Sequence, residues 1–490
     1  MLGGESKSKE KLQVRGDESL EAGLIFISLI LLMVAAYRGY SIILVAPFFA
    51  MLAAVGSEYA LMPVYSELYM TKAAEYVKVY YPVFLLGAVF AKIMEDGGLA
   101  AAVAKQIVRS LGPQQAVLAV LLGCGVLVYG GLSVFVVAFV MYPFSAILFR
   151  QADIPKRLLP AVLWMGIFTY AMIALPGAPQ IQNIIPTAFF GTTTWSGVGL
   201  GLVGAAAYFL LGWGWISWRH RKLAAQGEGY GAHILNEPER VETNLPDWRT
   251  ASLPLLVVVL VNLYLSNPFH WSWGYHWPAD SLAAMKVLKL SLLSPSVERV
   301  QAIWSICLAL LAGSVCAAMV GRRQMRRQGG LMQPLNAGAM ASIPAILNTA
   351  SGYAFGSVIA ALPGFFAIKD ALLHLQIGGG PLVSAILTTN VMTAVTGSAS
   401  GGLTIALGML GQEWLAWGAS LGMSPEVLHR IVCLASEGLD TVPHSGALVT
   451  LMAVCGLTHR ESYYDVFVLT LLKPLVAVFC LLVYLARAIV

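Results

Sequence analysis

The chain is 490 residues long, 58% hydrophobic and 11% charged, with a mean hydropathy of +0.75. Soluble domains carry about 25% charged residues, so the composition excludes a soluble globular protein and predicts an all-α polytopic membrane protein. A net charge of +5, held in short loops, suggests no nucleic-acid partner, and six cysteines confined to apolar runs argue against a disulfide framework.

Residues 1–80 read as a tail followed by the first spanning helices. The tail mixes Lys7, Lys9 and Lys11 with Glu5 and Glu10, and no small-residue cleavage site follows the apolar run 22–36. That run is therefore expected to stay as a spanning helix. Spans need about 20 apolar residues, and further candidates lie near 41–55 and 81–94. The amphipathic stretch 99–111 has the pattern of a helix lying along the membrane interface or of an ordinary connector. Pro113 then opens an apolar run that turns at Gly130-Gly131-Leu132-Ser133, giving a hairpin over 113–149. The next helix, 158–185, starts after Asp153-Ile154-Pro155-Lys156 and breaks at Leu175-Pro176-Gly177-Ala178-Pro179. A span near 196–218 closes a first unit, residues 81–222. Residues 223–250 read as a polar cytoplasmic linker. Residues 251–335 contain two spans, an extracytoplasmic loop with Trp271, Trp273 and Trp277, and a loop bearing Arg322, Arg323, Arg326 and Arg327.

Residues 336–490 repeat the first layout. A span near 337–362 and a second amphipathic stretch, 365–376, lead to a hairpin over 381–410 with its tip at Gly397-Ser398-Ala399-Ser400-Gly401. Ser424 before Pro425 has the pattern of an N-cap and first turn. The helix that follows, 427–454, breaks at Leu439-Asp440-Thr441-Val442-Pro443, before a last span near 466–488. The registers agree, since 381 − 113 and 398 − 130 both give 268. Positive residues favour the cytoplasmic side. With Arg219, Arg221, Lys222 and the four arginines at 322–327 inside, the two hairpins open from opposite faces, so the repeats are expected to be inverted. Lys7, Lys9, Lys11 and Arg15 then fall outside, against the same rule.

Paired interrupted segments in matching halves point to a secondary transporter's binding site. Irregular backbone is tolerated in hydrocarbon only where protein or water covers it, so the two tips and two breaks are expected to converge. Free N–H groups at half-helix N-termini suit a carboxylate. Candidate substrate-binding residues are Gly130, Gly131 and Ser133 at the first tip, and Gln180, Gln182 and Asn183 at the first break. The second hairpin adds Asn390, Thr393, Ser398, Ser400 and Gly401; the second break adds Thr441, His444 and Ser445. Thr389, Thr393, Thr396 and Ser400 fall on one helix face, read either as a substrate pathway or as interhelical hydrogen bonding. Glu437 and Asp440 are the candidates for coupling to a proton or sodium ion, because a charge at the bilayer centre costs at least about 2.5–3.5 kcal/mol and normally has a task. Two simpler roles stay open: His444 capping the restarted helix, and Asp440 as an N-cap. Glu95 and Asp96 are expected in solvent, and Lys92 and Lys473 are expected to snorkel to the interface.

Motifs for other classes are missing. There is no His-Glu-x-x-His, no Gly-x-Ser-x-Gly elbow and no Gly-Lys phosphate loop, which speaks against an enzyme, an ATP-driven pump and a resident cofactor. A passive anion channel or a membrane-embedded enzyme stays as the alternative.

With these residues in view, the chain resembles the gluconate permease family of the ion-transporter superfamily. The resemblance rests on Pro176-Gly177-Ala178-Pro179-Gln180-Ile181-Gln182-Asn183-Ile184-Ile185-Pro186-Thr187 with Phe190-Gly191-Thr192-Thr193, on Asn348-Thr349-Ala350-Ser351, and on Glu437-Gly438-Leu439-Asp440-Thr441-Val442-Pro443-His444-Ser445-Gly446. The stretch Cys455-Gly456-Leu457-Thr458-His459-Arg460-Glu461-Ser462-Tyr463 is closer to its β-hydroxybutyrate permease branch than to its sugar-acid branch. The resemblance implies inner-membrane, cation-coupled uptake of small hydroxy or sugar acids, with protons as the family's usual ion. It also implies a scaffold plus a transport domain bearing both hairpins, moving as an elevator within a homodimer.

Overall fold

The computed structural model describes residues 21–36, 38–233, 235–238, 244–327, 329–366, 369, 380–443 and 445–490. The four basic tail residues, most of the stretch 365–376 and His444 lie outside these. Among the described residues, eight helices are long and apolar enough to cross a bilayer, or nine if one bent pair forms a span.

In chain order the main helices are α1 (Glu21–Ala36), α2 (Ile42–Ala54), α3 (Leu61–Asp96), α4 (Leu99–Leu111), α5 (Ala116–Tyr129), α6 (Val134–Gln151), α7 (Lys156–Ala174), α8 (Ile181–Phe190) and α9 (Val198–Ala225). They continue as α10 (Trp248–Ser266), α11 (Gln301–Arg327), α12 (Met332–Ala361), α13 (Pro381–Thr396), α14 (Ala399–Ser420), α15 (Pro425–Ala435), α16 (Gly446–Cys455) and α17 (His459–Arg487). Helix α3 begins well before the apolar run at residue 81, so a boundary at 80 cuts a continuous helix. Its first half carries Lys72, Glu75 and Lys78, which hide it from a hydropathy reading.

The bent pair is α4 with the segment Pro113–Tyr129, which meet at 97° around Gly112. At 1.5 Å per residue, the 14 residues of α5 and the 16 of α13 reach about 21 and 24 Å. Both are shorter than the roughly 30 Å hydrocarbon core. Gly131, with φ +95, makes the first tip; Gly397, with φ +59, ends α13 at the second, and Ser398 caps α14 by accepting from Gly401 N at 3.2 Å. A Cβ on Gly402 would lie 2.3 Å from Thr393 N, so the arms of the second hairpin touch backbone to backbone.

The helices sort into two packing groups. Helices α2, α3, α10, α11 and α12 pack mainly on one another, with α3 against α12 the most extensive pairing. The hairpins, the broken helices α7/α8 and α15/α16, and α9 and α17 form the second group. Contacts of α12 with α14 and of α11 with α8 join the groups. The stretch after α9 clamps the second group from one end. Asn236 donates to Ala453 O at 2.8 Å, satisfying a carbonyl at the end of α16, and Glu237 accepts from the buried Lys156 at 2.6 Å, from Tyr230 at 3.0 Å and from Arg150. Burial pushes the Glu237 carboxyl up, but Lys156, Tyr230 and Arg150 together outweigh it and hold it below the usual glutamate range.

Candidate functional site

The second break places charge in the protein interior. Helix α15 starts at Pro425 behind the Ser424 cap, as the Ser-Pro pair predicts, and unwinds after Ala435. The turn that follows carries Glu437 and Asp440 toward α17. There Lys473 Nζ lies 3.0 Å from Glu437 Oε2 and 3.0 Å from Asp440 Oδ1, with all three side chains almost wholly buried. Its ammonium also sits 5.3 Å from the centroid of Trp164, whose face attracts a cation. Tyr208 of α9 donates to Leu434 O at 2.9 Å, covering a carbonyl that the end of α15 leaves free. Snorkelling of Lys473 is therefore wrong. Moving the ammonium to the interface would leave two buried carboxylates facing each other, and the two ion pairs outweigh its hydration. Lys92 does sit partly exposed beside Glu95 and Asp96, at 2.9 and 3.7 Å.

The first break has no acid, yet it is not electrically bare. Arg430, projecting from α15, is fully buried against it and makes six hydrogen bonds to five acceptors: Ile173 O, Ala174 O, Thr194 O, Ser196 O and Asn183 Oδ1. Breaking a helix strands carbonyls that a bilayer cannot hydrate, and one guanidinium supplies their donors. His429 bonds Thr192 at 2.7 Å and Asn183 at 3.1 Å. Both breaks are thus packed against buried ionisable side chains.

Each candidate residue other than His444, which lies outside the described residues, finds a definite place. Gly130 packs on Leu255 of α10, and Gly131 on Pro179, Phe90 and Leu310. Gln180 ties the first break to the first tip, donating to Val128 O at 2.6 Å and Leu132 O at 3.1 Å. Asn183 donates to Ala178 O and Thr194 O, so both ends of its amide are occupied by the frame. Gln182 keeps a buried carbonyl oxygen with no partner. Ser133 is half-buried at the start of α6, and Ser400 is half-buried beside the buried Gly401. Thr393 donates to Asn390 O, Thr396 to Met392 O, and Ser398 serves as a cap. Two of the four stripe hydroxyls, Thr393 and Thr396, are therefore spent on their own helix, while Thr389 is left unpartnered. Thr441 bonds Thr470 through its hydroxyl and accepts from Tyr463 through its carbonyl; Ser445 is buried.

Two junctions result. Gln180 joins the first tip to the first break, and Asn390 abuts the second break so closely that a Cβ on Gly438 would collide with its Oδ1. Arg430, His429 and Cys433 then bridge the two breaks through Asn183 and Gln182. Among the described residues no hydrogen bond joins the two tips themselves. Asn390 Oδ1 and Glu437 Oε1 are both buried and unpartnered, on either side of Gly438.

The reading from sequence missed Arg430, His429 and Lys473 as members of the site. The signal was present: each is ionisable and interrupts an apolar run, the usual mark of a functional position in a membrane segment.

The uncharacterized transporter YxjC of Bacillus subtilis (strain 168) is 41% identical over 466 residues, which cover 93% of this chain and 96% of that protein. The chain belongs to the YxjC transporter family. It is accordingly a multi-pass membrane transporter of bacterial type. No family model matches the sequence. Its fold is shared with two solved structures. The YdaH transporter of Alcanivorax borkumensis superposes with TM-score 0.57 at 15% identity, covering 96% of this chain and 98% of that one. MtrF of Neisseria gonorrhoeae, described as illuminating a class of antimetabolite efflux pumps, superposes with TM-score 0.52 at 14% identity, covering 95% and 94%.

Proposed function

We propose that this chain is a secondary transporter that carries a small hydroxy or short-chain carboxylate across the bacterial inner membrane in symport with a proton. The observation that carries the proposal is the buried triad of Glu437, Asp440 and Lys473 at a helix break, with Glu437 Oε1 unpartnered. A sealed carboxylate oxygen without a donor is a place for a proton. Sodium has less claim, because Lys473 Nζ already occupies the position between the two carboxylates. The unpartnered oxygens of Gln182 and Asn390 offer acceptors for a substrate hydroxyl.

The two matching halves are inverted repeats in this reading. The group containing α3 and α12 serves as scaffold, and the group containing both hairpins and both broken helices moves against it as an elevator, within a homodimer. The likeness to gluconate permeases, and to their β-hydroxybutyrate branch, supports the substrate class.

The test is uptake into proteoliposomes of hydroxybutyrate, lactate, gluconate and citrate under imposed proton or sodium gradients. Accumulation that collapses with the proton gradient supports the proposal. Simple equilibration marks a channel, chemical conversion marks an enzyme, and indifference to all four acids removes the substrate class.

A further inference from the structure

A cavity lies where the two packing groups meet, and no residue of the charged triad lines it. Its volume is about 200 Å3, and its walls come from α3, α8, α12, α14 and the residues just before α11. Three tyrosines form an aromatic corner: the Tyr76 ring is 4.5 Å from Tyr80 and 5.5 Å from Tyr353. Arg299 supplies a cation. Its Nη1 donates to Ala188 O at 3.3 Å and Phe189 O at 3.4 Å, at the C-terminal end of α8. Both bonds are long, and among the described residues no carboxylate pairs with this guanidinium. Glu75, the one acid in the wall, is already paired with Lys72 at 2.8 Å. Tyr76 is 2% exposed, and its hydroxyl lies beside the Thr349 side chain without a hydrogen bond of normal geometry. A buried hydroxyl left unpaired costs about 1–3 kcal/mol, which a ligand would recover.

We infer that this cavity is an outer subsite for a short-chain monocarboxylate, in which Arg299 binds the carboxylate, the tyrosine corner covers the carbon chain and the Tyr76 hydroxyl bonds its polar substituent. The inference rests on the anion-transport reading above and sharpens its substrate. Side is set by α11, which begins beside Arg299 and ends in Arg322, Arg323, Arg326 and Arg327. Those arginines belong to the cytoplasmic face, so the cavity faces outward. Size and charge choose the ligand: drug-sized molecules occupy pockets of roughly 300–1,000 Å3, and this one is smaller, with a single unpaired cation. A four-carbon hydroxy acid fits those limits with room to spare; a six-carbon sugar acid leaves little of that volume free, and a tricarboxylate brings too much charge.

The experiment is calorimetric titration of the purified full chain with 3-hydroxybutyrate, gluconate and citrate, paired with uptake in proteoliposomes. Wild type binds hydroxybutyrate at least roughly tenfold more tightly than the other two. Arg299→Gln weakens hydroxybutyrate by roughly ten- to a hundredfold, the range of a lost charge-assisted hydrogen bond. Arg299→Lys keeps the charge and falls in between. Because Arg299 also holds the end of α8, Tyr76→Phe provides a second arm: it removes a hydroxyl that makes no protein hydrogen bond of normal geometry, keeps the melting temperature, and weakens binding by about threefold to tenfold. Wild-type affinity in Tyr76→Phe and in a folded Arg299→Gln, with transport of carboxylates intact, overturns the subsite alone. Gluconate or citrate binding as tightly as hydroxybutyrate overturns the chain-length assignment. If wild type neither binds nor transports any of the three, the underlying transport reading falls as well.

Discussion

Lys473→Met tests the buried triad most directly. In the native protein Nζ stands 3.0 Å from an oxygen of each of two carboxylates. At an effective dielectric of about 20, each contact is worth about 5–6 kcal/mol of Coulomb attraction, offset in part by the burial of the charges. Methionine keeps most of the stem's volume and removes the charge, so Glu437 and Asp440 are left together with no cation. Deleting one member of a buried pair costs about 3–5 kcal/mol, and the second carboxylate puts this variant at the upper end. At about 2.1 cal/mol/K of unfolding entropy per residue, a chain of 490 residues loses roughly 4–5 °C of melting temperature. Thermal unfolding of the purified full chain, followed by size exclusion at pH 8 and pH 5, reads the effect. Protonation removes the orphaned charges, so the loss shrinks at pH 5, and adding Glu437→Gln and Asp440→Asn to the same chain restores most of it at pH 8. A Lys473→Met protein that melts with wild type at both pH values refutes the ion triad, and with it the coupling role built on it.

Three further outcomes are expected. Asp440→Asn abolishes gradient-driven accumulation in proteoliposomes while leaving substrate exchange; unchanged accumulation removes Asp440 from coupling. Arg430→Gln strips donors from buried carbonyls at about 1–3 kcal/mol each, so its yield of folded protein in a heat-challenge assay drops sharply, and wild-type stability there shows that water or another group serves the first break. Glu237, held below its ordinary value, contributes stability that is present above the unfolded glutamate range, near pH 4.3, and is lost as pH falls through the lower folded value. Melting curves of wild type and Glu237→Gln should converge below that range, and curves that stay parallel down to pH 3 remove the Lys156–Glu237 clamp from stability.

Backbone features were legible in the sequence because glycine and proline leave few conformational choices. The turn at Gly131, the Ser424 cap before Pro425 and both helix breaks stand near the residues that predict them. Side-chain partners were less legible. Lys473 lies 36 residues from Glu437 and 33 from Asp440, and only the packing of α15 on α17 tells whether its stem carries the charge outward or inward. Arg430 reaches acceptors more than 230 positions away. No local pattern encodes such a contact. What the sequence does record is the cost of each buried ion, which ought to have marked Arg430 and Lys473 as needing partners. Length misled as well: the charges of Lys72, Glu75 and Lys78 concealed half of α3, although that half supplies Tyr76 and Tyr80.

Charge balance in the broken-helix region bears on the coupling ion. Two buried cations, Arg430 and Lys473, stand against two buried carboxylates, Glu437 and Asp440. On the proposed reading the region is neutral when empty, a monocarboxylate brings one negative charge, and one proton at Glu437 returns the total to zero. Carrying a net charge through the field costs about 2.3 kcal/mol per 100 mV, so the loaded carrier avoids that cost only with a one-to-one proton partner. Uptake should then follow an imposed pH gradient and ignore an imposed membrane potential. Proteoliposomes given a potassium diffusion potential at equal pH inside and out, or a pH gradient at zero potential, separate the two drives. Accumulation driven by the potential alone would overturn the one-to-one proton stoichiometry, and accumulation driven by sodium at symmetrical pH would mean that Lys473 does not hold the cation's place between Glu437 and Asp440.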